Sequence, residues 1–429
     1  MVRTPWRSTC RHCGRTRSRI PETLSCSRSS GPTRSSTPRT PTRTLRKSDP
    51  VRDRLKVVTI VGTRPEIIRL ARVIAALEEH TEHVLVHTGQ NYDYELNEVF
   101  FEDLDLRRPD HFLNADTSSL GAVLGDILKY TEKVLREEQP DAVVVLGDTN
   151  SCIAALMARR MKIPVYHLEA GNRSFDPNIP EEINRHLVDH VADYNLVYSE
   201  HSRRNLLAEG LHPSRIMHIG SPMNEVLGHY RGQIDSSDAV ERLGLKPQKY
   251  FLASLHREEN VDDAERLAAA IEALSAVATH YEHPVLLSTH PRTQKRIDLL
   301  GITEVAGVIF HRPLGFHDYN ALQLSARCVL SDSGTISEES TMLGFPAVTL
   351  RDAIERPEAI DTGAIVLAGV RRQSILSAIH VTLEQWSTQG RPALPADYQV
   401  VDSARRTVNF ILSTAPTHQT RAGIRRTEG

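Results

Sequence analysis

The sequence predicts an α/β protein made of two doubly wound domains that face each other across a cleft. Two observations lead to this prediction: short β-branched runs alternate with segments of helical period from Leu55 onward, and the same alternation begins again near Lys249. Such βαβα order implies parallel sheets covered by helices on both faces. Because sheets of this kind bind ligands at the carboxyl ends of their strands, two facing domains would share one site.

The first half of the chain contains five candidate strands. Leu55–Val61 is apolar and continuous, which is typical of a strand buried on both faces. Pro65 suits the first turn of a helix, and the apolar residues after it recur with helical spacing. The other candidate strands are Val84–His87, Ala142–Leu146, Pro164–Leu168 and Asn195–Tyr198.

The second half repeats the pattern after a candidate linker, Gly220–Ile234, which contains Pro222 and several glycines. Helices are predicted at Asp262–Thr279 and Thr335–Leu343. The candidate strands are Tyr250–Ser254, Val285–Ser288, Gly307–Phe310, Cys328–Ser331 and Ala347–Leu350. We therefore expect four regions: a basic tail (1–52), an N-terminal domain (53–225), a C-terminal domain (226–415) and a flexible C-terminus (416–429).

Charge is distributed unevenly along the chain. The first 52 residues carry 13 Arg and Lys against only Glu22 and Asp49, so the rest is acidic although the formal net charge is −2. An acidic body argues against a nucleic-acid partner, and the absence of any run of 18 apolar residues argues against a membrane partner. Only Cys152 and Cys328 of the five cysteines belong to the body, which excludes a disulfide scaffold and suits a reducing cytoplasm.

The tail is rich in Arg, Ser, Thr and Pro and lacks periodic apolar residues, so we expect it to be disordered. The alternative is a zinc knuckle formed by Cys10, Cys13 and Cys26 with His12 nearby, but a second paired CxxC at a recognised spacing is missing. The composition also resembles that of a transit peptide, and a start codon assigned too far upstream is an equal alternative.

Charged side chains follow several predicted strands of the first half. Arg64, within Gly62-Thr63-Arg64-Pro65-Glu66, could clamp a phosphate at a helix N-terminus or be an ordinary surface arginine. Asp148 and Glu169 end two buried strands and Glu181 begins a helix, where each could serve in acid–base chemistry or only cap a helix and favour its dipole. Three such acids on one rim favour function. The sequence carries neither a dinucleotide fingerprint nor a P-loop at a strand–helix junction.

The second half places similar groups after its strands. His256-Arg257 and His290-Pro291-Arg292 follow two successive strands, and their imidazole and guanidinium groups could line a diphosphate site. The alternative is that the two histidines are exposed loop residues. Ser333 lies in a small-residue turn before a helix, which suits phosphate binding, and Glu339 could accept ribose hydroxyls. A structural cap formed by Ser333 with Glu338 is the alternative.

Together these motifs resemble the non-hydrolysing UDP-N-acetylglucosamine 2-epimerases. The likeness runs from about Lys56 to about Ser413 and rests on motifs that occur in order: GTRPE, LGDT, HLEAGNRS, PEEINR, HREEN, DSGTISEE and Glu355-Arg356-Pro357-Glu358. The resemblance implies two Rossmann-like domains facing a central cleft, which is the glycosyltransferase-B architecture. It also implies a cytoplasmic homodimer that binds a UDP-sugar and serves polysaccharide biosynthesis, as for a capsule or O-antigen.

The resemblance carries roles to individual residues. The implied catalytic set is Asp148, Glu169, Glu181, Arg185 and His256. The implied substrate-binding set is Arg64, Arg69, His290, Phe316, Ser333, Gly334, Thr335, Glu339 and Arg356. Within it, Arg64, Ser333 and Gly334, together with His256, would hold the diphosphate, Glu339 the ribose and Phe316 the uracil. Two positions depart from the family pattern, because Arg69 replaces a frequent lysine and Thr335 replaces a glycine.

These departures, with the segments His87–Tyr94 and Leu314–Asn320, resemble the branch that makes UDP-N-acetyl-L-fucosamine from UDP-N-acetyl-L-pneumosamine. The family's chemistry is elimination of UDP and its re-addition after C2 is reprotonated on the opposite face, and it requires neither a metal nor a nicotinamide cofactor. A hydrolysing epimerase, a glycosyltransferase of the same fold and a non-catalytic nucleotide-sugar sensor are the alternatives.

Overall fold

The computed structural model describes residues 54–89 and 100–424. The basic tail with its candidate zinc knuckle, and Gln90 to Tyr94 of the predicted branch motif, lie outside the described residues. No helix in the described part of the chain is long and apolar enough to cross a membrane.

The first half forms a parallel sheet of seven strands in the order β3-β2-β1-β4-β5-β6-β7. Its strands are β1 (Lys56–Val61), β2 (Glu82–His87), β3 (His111–Phe112), β4 (Ala142–Leu146), β5 (Val165–Leu168), β6 (Tyr194–Val197) and β7 (Ile216–His218). The sequence AVVVL of β4 is buried throughout, as expected for a strand with helices on both faces. The five predicted strands of this half are confirmed to within two residues at each end.

The second half forms a parallel sheet of six strands in the order β10-β9-β8-β11-β12-β13. Its strands are β8 (Phe251–Leu255), β9 (Val285–Thr289), β10 (Val308–His311), β11 (Cys328–Ser331), β12 (Ala347–Thr349) and β13 (Val366–Leu367). In both sheets the first three strands run from the interior of the sheet to one edge. The chain then returns to the other side of the first strand, and the later strands continue to the opposite edge. This is the doubly wound order of a Rossmann-like domain, so the predicted fold class is confirmed.

Helices cover both sheets. In chain order they are α1 (Arg64–His80), α2 (Leu120–Glu138), α3 (Ala154–Arg160), α4 (Pro180–Val191), α5 (Glu200–Ala208), α6 (Pro222–His229), α7 (Arg231–Asp235), α8 (Ala239–Arg242), α9 (Glu258–Val261), α10 (Ala264–Tyr281), α11 (Pro291–Leu299), α12 (Phe316–Ser325), α13 (Ile336–Glu339), α14 (Glu358–Asp361), α15 (Arg372–Gln389), α16 (Ser403–Thr414) and α17 (His418–Arg421). Helix α1 buries Ile67, Ala71 and Ile74, the apolar stripe expected from its sequence.

One connecting region differs from the expectation. The predicted linker Gly220–Ile234 is largely helical, since it contains α6 and most of α7. Pro222 begins α6 rather than breaking it, and the Ser221 side chain accepts a hydrogen bond from the Met223 N–H as the helix cap.

The end of the described chain returns to the first sheet. In α16 the Thr414 hydroxyl lies 2.6 Å from the Tyr166 hydroxyl of β5, and the Phe410 ring packs edge-on against Tyr194 of β6. Residues beyond 415, expected to be flexible, include helix α17, where His418 is buried against Tyr194. These residues form a helix against the first sheet because the aromatic rings of that sheet need a covering layer of protein. The predicted domain division at 225/226 stays a prediction.

Candidate functional site

A cleft with two adjoining cavities lies at the carboxyl ends of the central strands of both sheets. The apolar cavity, of about 290 Å³, is lined by Ile68, Phe100, Leu314, Phe316 and other residues. The carboxylate cavity, of about 500 Å³, is lined by Asp148, Glu169 and Glu181. The two cavities share the lining residues Thr63, Pro65, Arg69, His256, Ser333 and Thr335. All fourteen residues predicted for the site line one cavity or both.

Glu169 is held by two buried arginines from different parts of the chain. Arg69 of α1 and Arg356, which precedes α14, each donate to one of its carboxylate oxygens. Both arginines also contact buried Glu338, at 2.6 Å from Arg69 and 3.3 Å from Arg356. The two arginines and two glutamates balance in charge, which makes their burial acceptable. Burial alone would raise the pKa of Glu338, but the two guanidiniums hold it below its usual range.

The backbone around Glu169 is tightly constrained. Glu169 itself has a φ of 65°, in the left-handed region that a residue with a side chain rarely adopts. Two residues later Gly171 has a φ of 80°, and a Cβ there would lie 2.3 Å from the Ser202 carbonyl oxygen. The sharp turn after β5 therefore requires glycine at position 171, and it directs the Glu169 side chain into the cleft.

Asp148 is ion-paired with Arg185 of α4, and Arg185 also contacts Glu182 at 2.8 Å and Glu355 at 3.3 Å. Burial by itself would lower the pKa of Arg185, but these three acids raise it, so the guanidinium stays charged. The loop before Asp148 is fixed by His167, which is within 2.8 Å of the Gly147 carbonyl oxygen. Glu355 further contacts Arg257 at 3.2 Å, which joins this network to the second sheet.

Glu181 differs from Asp148 and Glu169, because no ion pair is found for it among the described residues. Burial, and next the charge of Asp148, raise its pKa above the ordinary value. Its position at the first turn of α4 places it in the same cavity as Asp148 and Glu169. Of these three carboxylates, two are therefore ion-paired and the third has a raised pKa.

Glu66, in the first turn of α1, lies beneath the loop that joins β1 to α1. Its carboxylate accepts hydrogen bonds from the backbone N–H groups of Gly62 and Thr63 and from the hydroxyls of Thr149 and Ser151. Burial raises the pKa of Glu66 to about 7 although all four hydrogen bonds oppose this. Because Thr149 directly follows Asp148, Glu66 connects the loop after β1 with the loop after β4.

The residues of the second half that are predicted to bind the diphosphate lie around Asp332, which is buried. Its carboxylate accepts from the His256 and Arg257 backbone N–H groups, and His256 Nδ1 lies 3.0 Å from Asp332 Oδ1. Burial would raise the pKa of Asp332, but His256 and the hydrogen bonds hold it below its usual range. Gly334 is closely covered, since a Cβ there would meet Arg356 Nη1 at 2.8 Å.

The remaining predicted residues line the apolar cavity. Phe316, at the start of α12, is only 4% exposed and packs edge-on against Tyr230. Buried Glu339 accepts a hydrogen bond of 2.6 Å from the Gln323 amide, and burial raises its pKa. Arg64 lies over the Phe100 ring at 5.5 Å, and His290 caps α11.

Sequence reasoning assigned no role to Glu66 or Glu355, each of which belongs to the network just described. Both lie inside the motifs quoted above, near Arg64 and Arg356 respectively. Their position next to assigned residues was the available signal, but their partners are distant in sequence and could not be read from it.

Fold and cleft together define the class of glycosyltransferase-B-like α/β proteins. Within it, the chain belongs to the UDP-N-acetylglucosamine 2-epimerase family, whose model matches residues 75–412. UDP-N-acetylglucosamine 2-epimerase of Methanocaldococcus jannaschii is 38% identical over 342 residues, covering 77% of this chain and 93% of that protein. UDP-2,3-diacetamido-2,3-dideoxy-D-glucuronate 2-epimerase of Pseudomonas aeruginosa is 37% identical over 335 residues, covering 77% and 92%.

A solved structure extends this likeness to three dimensions. The M. jannaschii UDP-GlcNAc 2-epimerase, in complex with UDP-GlcNAc and UDP, matches with a TM-score of 0.79 at 35% sequence identity. The match covers 84% of this chain and 100% of that chain. The fold and the family are therefore established independently of the motifs.

Proposed function

We propose that this protein inverts C2 of a UDP-2-acetamido sugar and returns the intact nucleotide sugar. The observation that carries the proposal is the convergence of Asp148, Glu169 and Glu181 on one cavity that opens directly into a second cavity lined by Arg64, Phe316 and other residues. The UDP-GlcNAc complex of the M. jannaschii relative supports a nucleotide sugar as the ligand. The proposal extends to a cytoplasmic homodimer, which light scattering would test.

The proposed reaction avoids a free carbanion, because the C2–H bond of a 2-acetamido sugar has no carbonyl beside it. A base removes the C2 proton while the C1–O bond breaks, and its electron pair leaves with UDP. The product is a 2-acetamidoglycal with a C1–C2 double bond. A second group then protonates C2 from the opposite face as a UDP oxygen re-forms the bond to C1. The reaction therefore needs a base, an acid and cations for the departing diphosphate.

The environments of the carboxylates support different roles. Asp148 and Glu169 are each ion-paired with arginines. Glu181 has a raised pKa, caused by burial and by Asp148, which favours a proton-donating form. Environments that differ in this way divide the acid and base roles between carboxylates. We therefore assign Glu181 as the proton donor in one direction of the reaction, and either Asp148 or Glu169 as the base in that direction.

The arginines at Glu169 suggest how binding and chemistry are coupled. In the structure the Arg69 and Arg356 guanidiniums are directed at Glu169 and Glu338. A bound diphosphate would compete for the same guanidiniums, since charge-assisted contacts to phosphate are strong. Binding of the diphosphate would then loosen the arginine contacts that hold Glu169.

The preferred sugar is expected to be a 6-deoxy-L-sugar. Phe316 and Thr335 belong to the motifs that resemble the L-fucosamine branch, and a pocket shaped for a 6-methyl group would leave the 6-hydroxyl of UDP-N-acetylglucosamine poorly partnered. An apolar pocket rejects an added hydroxyl only weakly, by about 100-fold. We therefore expect slow turnover of UDP-N-acetylglucosamine and faster turnover of UDP-N-acetyl-L-pneumosamine.

The test is NMR of each UDP-sugar incubated with the enzyme, with kcat/KM compared under one set of conditions. A C2 epimer that still carries UDP is the expected product. Stoichiometric release of UDP and free sugar would instead establish a hydrolysing enzyme. A preference for UDP-N-acetylglucosamine would discard the branch while leaving C2 inversion intact.

A further inference from the structure

The outer face of α4 brings together three side chains that the proposed reaction does not use. His186 and His190 are one helical turn apart, and Glu209 follows α5 directly. One ligand atom from each residue lies within 4.8 Å of the others. Among the described residues, no other group of three histidine, cysteine, aspartate or glutamate side chains is this close.

The distances within this group fit a transition metal. Glu209 Oε2 lies 3.1 Å from His190 Nε2 and 3.6 Å from His186 Nδ1. Zinc bonds of about 2.0–2.1 Å in a tetrahedral site place neighbouring ligand atoms roughly 3.3 Å apart. A small rotation of the two half-exposed imidazoles would therefore bring all three ligand atoms to one ion.

The carboxylate is already oriented by a buried neighbour. The Arg173 side chain is fully buried and donates to both oxygens of Glu209, at 2.7 and 2.8 Å. It also contacts buried Asp189, at 2.8 Å. Metal-binding carboxylates are commonly held in this way by an outer hydrogen bond, and Arg173 could keep its Nε contact to Oε1 while Oε2 binds the ion.

We propose that His186, His190 and Glu209 form a binding site for a divalent transition metal of the zinc type. Imidazole and carboxylate ligands suit Zn²⁺, Co²⁺ and Ni²⁺, and solvent would complete the coordination. The ion would join α4 to the end of α5. The inner face of α4 carries Glu181 and Arg185, so the site would brace the helix that bears them without contacting the substrate.

The experiment titrates Zn²⁺ into the untagged full-length protein by calorimetry, comparing wild type with His186→Gln and His190→Gln. His380→Gln is the matched control, because His380 is also exposed and lies 3.8 Å from Glu384 one turn along α15. No third ligand joins this pair among the residues that the structure describes. All four proteins share the same cysteine-containing tail, so any metal bound there cancels in the comparison.

Wild type and His380→Gln should bind one more Zn²⁺ per chain than the two α4 variants, or bind it at least about 10-fold more tightly. Their melting temperature should rise with Zn²⁺, and this rise should be lost in His186→Gln and His190→Gln. Co²⁺ should give a visible d–d band in wild type that is missing in His190→Gln. Equal stoichiometry and affinity in wild type and His190→Gln, or an equal loss in His380→Gln, would overturn the proposal.

Discussion

At the scale of single residues, the cleft is governed by how its charges pair. Glu169 and Asp148 are each held by buried arginines, whereas Glu181 is raised in pKa by burial and by Asp148. A carboxylate that moves a proton in the reaction should be required for turnover but not for nucleotide binding. Arg64, the first residue of α1, should behave in the opposite way.

We expect Asp148→Asn, Glu169→Gln and Glu181→Gln each to lower kcat by roughly 100-fold or more, the usual range for an acid–base group, while UDP still binds. Arg64→Ala should weaken UDP binding itself, because it removes a charge-assisted contact. Steady-state kinetics and calorimetric titration with UDP check both statements. Near-normal turnover in all three carboxylate variants would refute the assignment.

Glu66 should make the stability of the protein depend on pH. Its pKa in the folded protein is about 7, raised from an ordinary 4.5 by burial. A carboxyl group with a raised pKa contributes stability that is fully present below its unfolded pKa and is lost as the pH rises through its folded pKa. The window is therefore from about pH 4.5 to about pH 7.

The stability advantage of wild type over Glu66→Gln should fall across this window by up to about 3 kcal/mol, the equivalent of the pKa difference. Urea unfolding at several pH values measures it. Glu79→Gln is the control, since Glu79 is exposed near the other end of α1. A difference between wild type and Glu66→Gln that does not change with pH would show that Glu66 keeps its ordinary pKa.

At the scale of elements, the turn after β5 decides where Glu169 points. Gly171→Ala should destabilise the protein by at least about 2 kcal/mol, because the Cβ would clash with the Ser202 carbonyl and the φ of 80° is unfavourable for alanine. Gly125→Ala is the matched control, since a Cβ at this position of α2 has nothing within 4 Å and alanine favours a helix. Similar unfolding midpoints for the two variants would contradict the constraint.

The sequence predicts the long, apolar strands well because their burial on both faces leaves a continuous signal. Strands β3, β7 and β13 escape prediction because two or three residues, such as His111–Phe112, are too few to show a pattern. The helices α6 and α7 were not predicted because their segment contains proline and several glycines, which usually indicate a loop. The effect of proline depends on its position, and Pro222 lies in the first turn, where it begins a helix.

The site residues that could be predicted from the sequence are those that directly follow a strand. Motifs place Asp148, Glu169 and His256 at the cleft without a structure, since parallel strands end on one edge. The pairing of these groups is not predictable from local sequence. Arg69 meets a glutamate 269 residues away and Arg356 one 187 residues away, and only the folded chain creates these contacts.

At the scale of the whole molecule, the residues described from 54 onward form both sheets and line both cavities of the cleft. Helix α16 packs on the first sheet through Phe410 and Thr414, so the two halves are also tied together by the chain's return. A chain beginning at Arg52 should therefore keep the melting temperature and turnover of the full protein. Loss of soluble protein on this truncation would show that the tail contributes to the fold.

The central claim is that C2 loses its proton to the enzyme and regains one on the other face. Epimerisation in deuterium oxide, followed by NMR of the nucleotide sugar, tests it most directly. Because protein carboxyl groups equilibrate with solvent, the product should carry deuterium at C2 and retain its UDP. A product that keeps only its original hydrogen at C2 would contradict the account and indicate an internal hydrogen transfer.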